Sequence, residues 1–264
     1  MTAVGLNFIE EGDGQPVVLL HGFPEDSRSW KQQLPVLAKA GYRAIAPDLR
    51  GYHLSPKPKD VDAYRITEIA NDVAGLIEKI GAPVYLVAHD WGAFTAWFVA
   101  MMRPELLRKL VILNVPHPVG IRRELQRSLQ QKLRASYQLY FRLPVLPELT
   151  MKLLGGMMLR KMAHFTRDEI ATYKRAWRGS LTPMLNYYRA QARFRGPEVA
   201  KLMKPITLPT MIIYGDREPV FIRASFGGIE EWVPNLRFET IPGIGHFVQH
   251  DAPERVNELL LDFL

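Results

Sequence analysis

Val87-Ala88-His89-Asp90-Trp91-Gly92 runs from a β-branched, buried-type segment through one tight turn into the helix-compatible stretch 93–102. This is the layout of a nucleophile elbow, in which a strained turn holds one side chain above the end of a sheet. The side chain so presented is Asp90, where serine is the usual occupant, and the first small residue is Ala88 rather than glycine. Asp is also a common helix N-cap, and capping a helix that begins near Trp91 is the competing use of Asp90.

Working outward, the segments on either side repeat one alternation. Val17-Val18-Leu19-Leu20, Arg43-Ala44-Ile45-Ala46, Val84-Tyr85-Leu86-Val87 and Leu110-Val111-Ile112-Leu113 read as buried strands, separated by expected helices over 29–40 and 67–80. Gly81 supplies the C-cap of the second helix. The pattern returns with 210–214, 236–241 and a final helix from about Pro253. Strands alternating with helices give a mostly parallel, doubly wound α/β sheet covered on both faces. Residues 119–198 break the alternation: they read as helical and strand-free, with Pro144, Pro147 and Gly155-Gly156 as breakers. The expected organisation is therefore an α/β core, 1–118 and 199–264, interrupted by an all-helical insertion at 119–198. The N-terminus begins almost at the second expected strand, so an edge strand is expected to be missing or the native chain to be longer.

Composition narrows the class. The 264 residues are 47% hydrophobic and 23% charged, which excludes disordered and fibrous chains. Cysteine is absent, which excludes disulfides, thiol catalysis and thiolate metal sites. The longest apolar run, ten residues over 93–102, is too short to span a bilayer. The first residues carry no basic n-region, so no signal peptide is read and a cytoplasmic protein is expected. The net charge of +7 is uneven: residues 121–204 hold 18 Lys and Arg against 5 Asp and Glu. Without a recognisable nucleic-acid module this reads as solvated basic helix faces, with an anion-binding surface as the sharper alternative.

Open parallel sheets place ligands at the C-terminal ends of their strands. Three turns fall there. Besides Asp90, His21-Gly22-Phe23-Pro24 follows the first buried strand and aims the Phe23 N–H toward the elbow. With the Trp91 N–H it makes a two-donor oxyanion hole. Late in the chain come Glu218, in Tyr214-Gly215-Asp216-Arg217-Glu218-Pro219, and His246, in Gly243-Ile244-Gly245-His246-Phe247. Each turn alone has a plain structural use, but nucleophile, acid and histidine in this order, each ending a strand, read as a catalytic triad. Asp216 is the alternative orienter of His246.

These residues resemble the α/β-hydrolase superfamily and, within it, the epoxide hydrolases. The resemblance rests on His-Gly-Phe-Pro-Glu at 21–25, Pro-Asp-Leu-Arg-Gly-Tyr at 47–52, His-Asp-Trp-Gly at 89–92 and Asn-Val-Pro-His-Pro at 114–118, and it covers nearly the whole chain. It implies an α/β-hydrolase fold with a helical cap at 119–198. Tyr137, in Tyr-Gln-Leu-Tyr-Phe, and Tyr188, in Leu-Asn-Tyr-Tyr-Arg-Ala, fall where that family carries its two epoxide-activating tyrosines. Tyr140 and Tyr187 are their neighbours and alternatives. Glu218 stands where most relatives carry Asp, and His53 replaces a small residue without an assigned role. Detoxification of epoxides is the role the resemblance implies.

The chemistry suits the residue types. Asp90 is ionised at neutral pH and can displace at an sp³ carbon to form an ester. An epoxide oxygen leaves as an alkoxide and needs a proton, which a phenol with an ordinary pKa of about 10 can donate. His246, oriented by Glu218, then activates water against the ester. A haloalkane dehalogenase also uses Asp followed by Trp, but it needs a second halide donor, Phe23 stands where that class can carry Asn, and the two tyrosines would be idle. A third reading is a non-catalytic binding module on the same scaffold. The expected pocket walls are Phe23, Pro24, Trp91, Tyr137 and Tyr188, with Met151, Met157, Met158 and Met162 as tunnel residues or simple core. The expected ligands are a small apolar epoxide and water. No cofactor, metal or nucleic acid is expected, and the protein is expected to be a monomer or homodimer.

Overall fold

Val17 to Leu20 have no solvent exposure, and neither do Leu110 to Leu113. Such continuous apolar runs form only where both faces of a strand are covered. In the computed structural model, which describes residues 3–193 and 199–264, they belong to β2 (Gln15–Leu20) and β5 (Leu107–Leu113). With β1 (Phe8–Glu11), β3 (Tyr42–Pro47), β4 (Val84–His89), β6 (Thr210–Gly215) and β7 (Leu236–Ile241) they build a seven-stranded sheet in the order β1-β3-β2-β4-β5-β6-β7. All pairings are parallel except that of β1 with β3. The mostly parallel, doubly wound sheet expected from the alternation is the one observed.

The two-residue period of each strand divides the core. Val18 and Leu20 face α2 (Ile66–Ile80) and α3 (Asp90–Met102), whereas Val17 and Leu19 face Trp30, α1 (Leu34–Lys39) and α11 (Pro253–Phe263). One strand escapes the sequence reading and one expectation needs correction. β1 pairs antiparallel with β3 at the edge of the sheet, where the Glu10–Arg43 ion pair decorates it. All four β1 residues are exposed, so no buried run announces them. The helix expected over 29–40 is two elements, a 3₁₀ turn at Ser27–Trp30 and then α1, which restarts with Pro35 in its first turn. α2 matches its expected span, and Gly81 closes it at φ +102°.

Between β5 and β6 the described residues hold helices and no strand. They are α4 (Pro118–Arg127), α5 (Leu129–Arg134), α6 (Tyr137–Phe141), α7 (Leu146–Met162), α8 (Arg167–Ala176) and α9 (Leu181–Arg193). The expected end of this segment, residue 198, lies outside the described residues, as do Met1 and Thr2. A short α10 (Val248–Asp251) precedes α11. Among the described residues no helix is long and apolar enough to cross a membrane.

Candidate active site

β4 ends at His89 and α3 begins at Asp90, which sits at φ +49°, a left-handed conformation that an L residue with a Cβ adopts only when its surroundings hold it there. Two glycines make the turn possible. A Cβ on Gly92 would lie 2.4 Å from the Leu20 carbonyl oxygen, and one on Gly22 would lie 2.3 Å from the Asp90 Cβ. The close approach of Gly22 brings the Phe23 N–H to Asp90 Oδ1 at 2.7 Å. Oδ2 is left facing His246 Nε2 at 3.4 Å. Trp91 is the second residue of α3, so its N–H belongs to the helix N-terminal group that lacks intrahelical acceptors.

The opposite nitrogen of His246, Nδ1, lies 2.6 Å from Glu218 Oε2, and the second Glu218 oxygen accepts the Val220 N–H at 2.6 Å. Asp216 stands at the surface and accepts the Gly243 N–H, so it does not reach the histidine. Burial opposes the charged form of His246, but the charges and hydrogen bonds of Glu218 and Asp90 prevail and raise its pKa to about 10. Burial likewise opposes the Asp90 carboxylate. Its contact with His246 and the Phe23 N–H overcome that cost and hold the carboxyl below its ordinary value. The resting site is thus an imidazolium between two carboxylates.

Above Asp90 lies a cavity of about 400 Å³, walled mainly by aromatic, Met, Leu and Pro side chains. Phe23, Pro24, Asp90, Tyr137, Tyr188 and His246 all line it. Trp91 does not: its indole packs edge-on against Tyr187 and Tyr188. The Tyr137 and Tyr188 rings stand 6.2 Å apart, and burial together with the Asp90 charge pushes both phenols above their ordinary pKa. The neighbouring tyrosines are engaged elsewhere. Tyr187 donates to the Arg50 carbonyl at 2.7 Å, and the Tyr140 hydroxyl, though its residue borders the cavity, bonds Leu146 O and Thr150 Oγ1. Met151, Met158 and Met162 line the cavity, whereas Met157 is exposed.

Several residues that serve this site were not read from the sequence. Asn114, at φ +59° after β5, donates to the carbonyls of Gly245 and His246 (2.8 and 2.7 Å) and accepts the Gly215 N–H, tying the histidine loop to the strand ends. His89 is buried against the His246 ring and bonds the His246 carbonyl at 2.9 Å. On the other side of the His89 ring, the Gln249 amide reaches both His89 Nδ1 and Glu25. Burial and the adjacent His246 lower the His89 pKa to about 3, so it stays neutral. From the helical segment, Gln131 donates to the Val220 carbonyl and accepts the Ile222 N–H, and Arg134 donates to the carbonyls of Glu218 and Phe221. The quoted motifs contain Glu25 and His89, but their partners lie more than 150 residues away. His53 pairs with buried Asp48 at 3.2 Å and does not line the cavity. Asp26, Asp48 and His53 are the one group of three among the described residues whose His and carboxylate atoms all lie close enough to one another to share a metal ion, and their oxygens are already taken by Arg28, Ser27 and Asn7.

The model of the alpha/beta hydrolase fold family matches residues 15–253. The chain is 38% identical to the AB hydrolase superfamily protein YfhM of Bacillus subtilis, over 96% of this chain and 91% of that one. It is 31% identical to Epoxide hydrolase 2 of Caenorhabditis elegans, over 99% and 77%. Among solved structures, a mutant epoxide hydrolase from Bacillus megaterium, in complex with its naphthyloxy-propanediol product, superposes with a TM-score of 0.90 at 31% identity, over 99% of this chain and 98% of that one.

Proposed function

The chain belongs to the α/β-hydrolase superfamily and, within it, to the epoxide hydrolase family, and from that premise we propose that it opens epoxides to vicinal diols through an ester formed on Asp90. The observation that supports this most is the joint geometry of one cavity: a carboxylate on its floor, two high-pKa phenols on its wall, and a histidine held between that carboxylate and Glu218. On this reading the helices over 118–193 act as a cap on the α/β core.

Asp90 Oδ1 is occupied by the Phe23 N–H, so Oδ2 is the attacking oxygen. It forms a bond to an epoxide carbon as the C–O bond of the ring breaks, and the electron pair leaving with oxygen takes a proton from Tyr137 or Tyr188. Phenols that hold their protons at neutral pH are suited to this donation. The ester carries no charge, so His246 loses one of the two anions that hold its proton, and that proton returns to the phenolate. The neutral imidazole is then a general base for water attack on the Asp90 carboxyl carbon. The tetrahedral oxyanion, developing on Oδ1, is met by the N–H groups of Phe23 and Trp91. Collapse expels the diol oxygen, which takes the proton from His246, and the new carboxyl proton returns to the imidazole. Asp90 and His246 end as the ion pair they began as.

The apolar cavity favours apolar, aryl-bearing or medium-chain epoxides, in keeping with the naphthyloxy diol held by the similar Bacillus megaterium enzyme. The test is diol formation from styrene oxide, with Asp90→Ala as the control. Diol from the wild-type protein and none from the variant supports the reading. Bromide release from a bromoalkane without diol formation would overturn it in favour of dehalogenation.

A further inference from the structure

Helix α7 is apolar on two sides. Met151, Gly155 and Leu159 are buried, as a four-residue repeat facing the interior requires. The side turned to solvent should be polar, yet it presents Leu146, Leu149, Leu153 and Met157, with Leu153 72% exposed. On α5, Leu129 and Leu133 stand one turn apart and are 69% and 65% exposed. Scattered exposed leucines need no explanation, but this concentration on consecutive helices does.

The charge on the same helices is one-sided. Residues 129–162 contain six Lys and Arg and a single acid, Glu148, which is bound by Arg189 at 2.9 Å. Arg134 turns inward to the Glu218 and Phe221 carbonyls. Lys132, Arg142, Lys152, Arg160 and Lys161 are exposed and make no ion pair among the described residues. Exposed leucines interleaved with unpaired cations form the pattern of a surface that lies on an anionic lipid interface. A second copy of the chain would bring five unpaired cations against five others, and leucines add nothing on a nucleic-acid backbone. The position of the face also matters. Tyr137 and Tyr140 of α6 and Thr150, Met158 and Met162 of α7 line the cavity, so α6 and α7 wall the cavity on one side while α7 turns its leucines to solvent on the other.

We propose that the outer face of α5, α6 and α7 docks on an anionic lipid bilayer, from which an apolar epoxide passes into the cavity. Docking itself does not depend on the catalytic reading, so the two fail separately. The test is co-sedimentation of the full chain with vesicles of phosphatidylcholine, with and without phosphatidylglycerol. The wild-type protein is expected to pellet with the anionic vesicles, to remain in solution with neutral ones, and to be released by salt. Lys152→Glu with Arg160→Glu should weaken partitioning roughly 30-fold or more, given the attraction of each cation to an anionic leaflet. Leu149→Asn with Leu153→Asn should weaken it without changing its salt dependence. Both pairs lie outside the cavity lining, so hydrolysis of a water-soluble epoxide without vesicles should be unchanged and serves as the folding control. Absence of binding to anionic vesicles at low salt, binding unaffected by both double variants, or a leucine-dependent dimer in solution would each overturn the proposal.

Discussion

Replacing Asp90 by Asn removes one of the two charges that hold the proton on His246 while keeping the shape of the side chain. His246 Nε2 and Asp90 Oδ2 are 3.4 Å apart, and only 15% of the Asp90 side chain is exposed. Opposite unit charges at that distance attract by about 5 kcal/mol at an effective dielectric of about 20, and by about 1 kcal/mol in bulk water. At roughly 1.4 kcal/mol per pH unit, those limits correspond to about 1 to 3.5 pH units, and a site opening onto a cavity falls between them, near two. The imidazolium, which titrates at about 10 in the resting protein, should therefore titrate near pH 8 in Asp90→Asn. The sign follows from the lost partner: without an anion to stabilise it, the cation gives up its proton at lower pH. The assay is a pH titration by NMR of protein labelled at histidine, with the resonance assigned through His246→Gln. Because the Asn variant imitates the uncharged ester, its titration reports the basicity available when water is to be activated. An unchanged His246 titration in Asp90→Asn, or a wild-type His246 already neutral at pH 7, would refute the charge-coupling argument.

Tyr188→Phe or Tyr137→Phe should slow ester formation by roughly 10- to 100-fold, the worth of one hydrogen bond to a developing charge, and the double variant should abolish it; rapid-mixing fluorescence of Trp91, which touches Tyr188, reads the step. Glu218→Gln should leave ester formation nearly intact and slow ester hydrolysis by roughly 100-fold or more, so that the ester accumulates in intact-mass spectra. Asp216→Asn should change neither step by more than about twofold, because its oxygen serves only the Gly243 N–H at the surface. Gly92→Ala would place a Cβ 2.4 Å from the Leu20 carbonyl and 2.5 Å from that of His21, two backbone atoms that cannot move aside, and should cost about 2–4 kcal/mol in chemical unfolding.

The central strands were legible because burial on both faces leaves continuous apolar runs, and the turns after them because Gly22, Asp90 and Gly92 must meet there. What the sequence hid has a common cause. β1 carries no buried residue, so nothing in its own composition marks it. The 29–40 segment has helical periodicity, but its start belongs to a 3₁₀ turn that ends at buried Trp30, and Pro35 resets the helix. The phase of the tyrosines on α6 and α9 depends on where Tyr140 and Tyr187 find partners, Thr150 in one case and the Arg50 carbonyl in the other, and both are tertiary facts. Trp91 illustrates the same limit: its position beside Asp90 suggests a cavity wall, yet its ring turns to Tyr187 and Tyr188. The clamp of Gln131 and Arg134 on the loop bearing Glu218 joins residues more than 80 positions apart and leaves no local signature.

The central claim, that the diol oxygen comes from Asp90, is tested most directly by one turnover of styrene oxide with excess enzyme in ¹⁸O-water. The account predicts unlabelled diol and one ¹⁸O atom in the peptide containing Asp90, because water enters at the carboxyl carbon. Labelled diol with unlabelled Asp90 would mean that water attacks the epoxide itself, and the ester mechanism would be contradicted.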